Sequence, residues 1–197
     1  MKRNLIVLLA FACGAAAAQD SPPVRLRATV ESYAAPNLVI KERSGKVISL
    51  IVPDETGVVE VIRTDISSIQ PGSFIGTAAL PRADGKLDAL EVVVFPEAAR
   101  GVGEGHFPWD LKPDSTMTNA TVTDLARSSN GRTLMLRYKD GEKTVIVADG
   151  VPVVTFRPGN LSQIVPGAKV FIVADVNGDQ FTVRRLLIGR NGLTPPM

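Results

Sequence analysis

The only histidine and the only tryptophan of this 197-residue chain lie three residues apart, between two carboxylates and beside a phenylalanine. Glu104, His106, Phe107, Trp109 and Asp110 bring together an imidazole, two acids and two large rings. Such residue types build ligand or partner surfaces, the rings supplying area and the polar groups orientation. His106 with Glu104 and Asp110 forms a mixed N/O set that suits a metal ion. The set reproduces neither H-E-x-x-H nor C-x-x-C spacing, so no metal is assigned. This group is the candidate ligand or partner surface of the chain.

Other chemistries are poorly served. Residues 101–105, Gly-Val-Gly-Glu-Gly, have the composition of a phosphate loop, but Pro108 and Pro113 follow where a helix N-terminus would have to stand. Asp175, Asn177 and Asp179 imitate the start of a calcium loop. Gln180 then replaces the required glycine and Leu186 the closing glutamate, which leaves a hairpin turn. A Ser-His-Asp set would have to use His106, and there is no G-x-S-x-G elbow. No pair of carboxylates stands out. The chain is therefore expected to be non-catalytic, with no catalytic residue and no cofactor.

Export is written at the start of the chain. Lys2 and Arg3 precede the apolar run 5–11, small residues fill 14–18, and Gln19-Asp20 follow. That order is a secretory signal peptide, residues 1–18, with cleavage expected after Ala18. Lipidation at Cys13 is a second reading, although residues 10–12 match its usual pattern poorly. The apolar run is shorter than the ~20 residues of a spanning helix, and none of that length follows. Cys13 is the only cysteine, so cleavage leaves a periplasmic protein without disulfides. Without Lys2 and Arg3 the chain carries 20 basic and 20 acidic side chains. That balance and the compartment argue against nucleic acid as a partner. The expected partner is an unidentified protein or envelope component.

The candidate surface must be positioned by what flanks it, and the flanks repeat. Residues 65–72, D-I-S-S-I-Q-P-G, correspond to 160–167, N-L-S-Q-I-V-P-G, at an offset of 95 residues. Ala28-Thr29-Val30 corresponds to Ala120-Thr121-Val122, and Asp84-Gly85 to Asn177-Gly178. Each copy reads as strands: 24–30, 38–40, 47–52, 58–62, 74–80 and 87–95 in the first, then 120–125, 133–138, 143–147, 151–156, 170–176 and 181–188 in the second. Apolar residues alternate or run together there, and Asp-Gly and Asn-Gly dipeptides mark the hairpins. One helical turn per copy is capped by Asp65 or Asn160 and stopped by Pro-Gly. The expected fold is all-β, two tandem OB-like small barrels, because closure removes exposed strand edges. A small sandwich is the alternative. Residues 19–97 form the first barrel, 98–118 an ordered connector, and 119–197 the second barrel with a loose Pro-rich tail.

The pattern D-[LI]-x-x-[LI]-x-P-G, apolar strand, D-G, final strand resembles the tandem OB-like repeats of bacterial exported proteins grouped as domain of unknown function 5666. A looser likeness is to periplasmic bacterial OB-fold proteins, which would imply envelope stress and small cationic ligands. Neither resemblance carries a functional residue. The expectation is an envelope binding or interaction module. The alternative is a metal- or small-ligand-binding protein using His106 and Trp109. The connector is either packing between the barrels or a groove built on Trp109. Residues 19–98 carry 8 basic against 11 acidic side chains and residues 119–197 carry 10 against 6. That asymmetry suggests either a weak patch for an anionic envelope component or head-to-tail attraction between molecules.

Overall fold

Leu26, Ala28 and Val30 alternate with polar residues, and in a computed structural model they point into a core from the first strand, β1 (Val24–Ala34). The structure describes residues 22–128 and 131–197. The expected signal peptide 1–18, with Cys13 and the cleavage expected after Ala18, lies outside them. The remaining strands are β2 (Asn37–Glu42), β3 (Val47–Ile51), β4 (Val58–Arg63), β5 (Phe74–Pro81), β6 (Leu87–Ala89), β7 (Val92–Val94), β8 (Gly105–Pro108), β9 (Thr116–Ser128), β10 (Gly131–Tyr138), β11 (Gly141–Ala148), β12 (Val153–Pro158), β13 (Lys169–Asn177) and β14 (Gln180–Gly189). Both predicted helical turns are present as single 3-10 turns, Ile66–Ser68 and Leu161–Gln163. The Asp65 carboxylate accepts from the Ser67 amide at 2.7 Å. Asn160 forms a reciprocal capping box with Gln163.

The fold class is all-β, as expected, with five-stranded closed barrels. The division of the chain between them is different. One barrel closes in the order β1-β2-β3-β14-β13 and back to β1; the other closes as β9-β10-β11-β6-β5 and back to β9. Each therefore takes three strands from one repeat and two from the other. The boundary expected between 19–97 and 119–197 does not separate the barrels. In the first core, Leu26, Leu38, Ile40 and Leu50 pack on Ile172, Val183, Leu186 and Ile188. In the second, Leu134, Leu136, Val145 and Val147 pack on Ile75, Leu87 and Val92. The strands of the two repeats, and with them their opposite charge balances, are thus mixed within each barrel.

The crossover is made by β4 and β12, which read in sequence as ordinary barrel strands. They pair antiparallel, with Val61 opposite Phe156. Those two residues are 95 apart, so they are equivalent in the repeat, and the pseudo-twofold axis passes through this pair. On either side, β4 runs parallel to β14 and β12 parallel to β7. The predicted strand 87–95 is broken at Leu90-Glu91, where the chain leaves the barrel for this central sheet.

A third apolar cluster covers the crossover. Val61, Val93, Val154, Phe171 and Leu187 are buried there with Phe95, Trp109 and Phe156 against them. The C-terminal segment belongs to it as well. Met197 is buried, and Arg27 Nε donates to the Met197 carbonyl oxygen. The expected loose tail is therefore docked, because its last side chain fills apolar space. Gly189 makes this possible: a Cβ there would stand 1.6 Å from the Leu193 oxygen. Gly189→Ala is expected to displace the tail and cost about 1–3 kcal/mol, the range of an overpacked site. Thermal melting together with proteolysis of the tail checks it; an unchanged melt would exclude this contact.

Candidate functional site

The connector contributes strand β8, which splits the candidate surface in two. β8 pairs antiparallel with β9, with His106 opposite Thr118 and Phe107 opposite Met117. Successive side chains of a strand point to opposite faces. His106 consequently turns toward the barrel side, where its Nδ1 lies 2.8 Å from Thr118 Oγ1 and its ring stacks on Tyr138 with centroids 6.3 Å apart. Burial, helped by the positive charge of Lys143, holds the imidazole pKa below its ordinary value. Phe107 and Trp109 turn the other way, their rings in edge contact at 6.1 Å.

The acids do not join His106 either. Glu104 is exposed. Asp110 reaches across to β1, with Oδ1 2.6 Å from Arg27 Nη2 and Oδ2 3.7 Å from Arg25 Nη1. Among the described residues, no three His, Cys, Asp or Glu side chains are grouped so as to hold a metal ion. Asp175 of the calcium-like run is held by Arg184 at 3.0 Å in the β13–β14 hairpin. Both readings of the connector find support. It ties β8 on one barrel to β1 on the other through Asp110 and through Trp109, whose ring lies 4.3 Å under the Arg25 guanidinium. It also forms one wall of a cavity.

That cavity has a volume of about 710 Å3 and lies on the third cluster, at the junction of the barrels. Its floor comes from the outward face of several strands in register. Phe171, Leu187, Val59 and Pro158 form one row across β13, β14, β4 and β12. Phe95 and Phe156 add a T-shaped pair at 5.6 Å. Val102, Phe107 and Trp109 close it from the connector, and Met197 from the tail. Trp109 Nε1 is enclosed and has no acceptor among the described residues.

The charged side chains that line the cavity have one sign. Its lining includes Arg25 and Arg185 and no acidic side chain among the described residues. Arg25 on β1 and Arg185 on β14 both pair with Val173 of β13. They stand two strand spacings apart, about 10 Å, on one face. Arg157 also touches the cavity, but it pairs with Glu60, in the alternate register of the β4–β12 ribbon. There, with Arg63 and Arg190, it lines a separate recess of about 470 Å3.

The repeat makes the two sides of the cavity comparable. Glu91 matches Arg185: each occupies the residue before the segment that runs parallel to the crossover. Where Arg185 is exposed, Glu91 is fully buried, and neither of its carboxyl oxygens has a hydrogen-bond partner among the described residues. Burial raises its pKa to about 8, against weaker opposing pulls from the Ala78 amide and from Arg27.

Sequence reasoning found Phe107 and Trp109 but missed the floor, and it counted Arg185 only within the basic excess of residues 119–197. A signal for the floor existed. Residues 92–95, 170–173 and 186–188 are unbroken apolar runs, which mark strands buried on both faces.

No family model, no curated protein and no solved structure matches the chain.

Proposed function

We propose that this is a non-catalytic binding module of the bacterial cell envelope, exported to the periplasm, whose ligand is an apolar small molecule held between the two barrels. The cavity carries this reading. Its volume of about 710 Å3 falls within the ~300–1,000 Å3 of ligand pockets, and an apolar lining with few polar groups is their usual composition. The signal-like N-terminus supports export, and the repeat pattern supports the likeness to exported tandem OB-like proteins. Among the described residues no helix is long and apolar enough to cross a membrane.

The test uses N-phenyl-1-naphthylamine, a neutral probe that brightens in apolar sites. Saturable binding of one probe per protein is expected. Val173→Phe, which narrows the cavity from its floor, should abolish binding while the circular dichroism spectrum stays unchanged. His106→Ala should leave binding intact, since that ring faces away from the cavity. Binding lost with His106 and kept in Val173→Phe would instead place the ligand at the imidazole.

A further inference from the structure

We infer that the ligand is a single-chain amphiphile with an anionic head, its tail on the floor of the cavity and its head at Arg185. This rests on the cavity reading above and adds the identity of the head group. Three observations converge. The floor is a continuous apolar row four strands wide, which suits an extended hydrocarbon chain. The charged residues lining the cavity are all arginines, whose planar forks match carboxylate and phosphate oxygens. Finally, the arginines differ in availability. Arg25 is occupied by Trp109 and Asp110. Arg27 is held by Asp110 and Met197. Arg157 and Arg185 are both exposed and make no ion pair and no side-chain hydrogen bond among the described residues, but Arg157 sits in the alternate register toward the second recess, whereas Arg185 shares the cross-strand row of Arg25.

The neighbouring charges leave this excess in place. Asp110 offsets one charge among Arg25, Arg27 and Arg185. Glu91, whose pKa burial raises to about 8, adds little negative charge at neutral pH. One tail is the better fit, because the connector and the docked Met197 bound the cavity from two sides.

The experiment is calorimetric titration of the exported protein with three ligands sharing one tail: dodecanoate, dodecanol and dodecyltrimethylammonium. Dodecanoate is expected to bind at least tenfold more tightly than dodecanol. Arg185→Gln should bring dodecanoate down to the dodecanol level and leave dodecanol unchanged. Equal binding of the first two, or tightest binding of the cation, overturns the anionic head and leaves the cavity as an apolar site. Absence of binding by all three to folded protein removes both readings. Binding to phosphatidylglycerol vesicles without binding of monomeric dodecanoate would assign the arginine row to a membrane surface and overturn the inference.

Discussion

Residues 22–101 and 102–197, produced separately, are each expected to remain unfolded as monomers and to form one two-barrel molecule on mixing. Each barrel core is divided between these pieces. In the first, Val170, Ile172, Ala174, Val183, Leu186 and Ile188 come from the second piece and close on Leu26, Val30, Leu38, Ile40, Ile48 and Leu50 of the first. Full burial of one aliphatic side chain contributes about 1.5–3 kcal/mol. Losing half a core therefore exceeds the ~5–15 kcal/mol that holds a typical domain together. The open barrels would also expose long strand edges. Circular dichroism and sedimentation before and after mixing check this. Self-association of one piece into a two-barrel dimer is compatible with the pseudo-twofold axis at Val61 and Phe156, as in domain swapping. A single piece that melts cooperatively as a monomer would exclude the exchanged topology.

Stability should fall as pH rises from about 4.5 to 8, and Glu91 should account for most of the fall. Its carboxyl is fully buried without a hydrogen-bond partner among the described residues, and its pKa is raised from 4.5 to about 8. A raised folded pKa means that the folded chain keeps a proton the unfolded chain has released. The stabilisation is complete below the unfolded value and is lost as pH climbs through the folded one. Linkage sets the slope at about 1.4 kcal/mol per pH unit, or about 5 kcal/mol across the interval. Urea unfolding of the parent and of Glu91→Gln at pH 5, 6, 7 and 8 isolates the effect. The variant should lose this slope and exceed the parent by more at pH 8 than at pH 5. Parallel pH profiles would show that Glu91 reaches a partner or water when charged.

The sequence by itself determined most local elements and the chemistry of their turns, but neither β8 nor the break between β6 and β7. Alternation placed β1, Asp-Gly and Asn-Gly placed hairpins, and Asp65 and Asn160 with Pro-Gly limited each helical segment to one turn. The repeat offset of 95 residues also marked Val61 and Phe156 as equivalent positions. Such signals depend on neighbours a few residues away, so they are written where they act.

Pairing was decided only in three dimensions. Two copies of one unit offer each strand two partners of the same pattern, one in its own copy and one in the other. Periodicity scores both alike. β4 and β12 settle the choice by pairing with each other across the axis, which carries the following strands into the opposite barrel. The site followed from that choice. The exchange brings the outward faces of β13, β14, β4 and β12 into one floor, docks Met197, and leaves Arg185 open while burying its repeat mate Glu91. It also separates His106 from Trp109, three residues apart in sequence, because a strand turns alternate side chains to opposite faces.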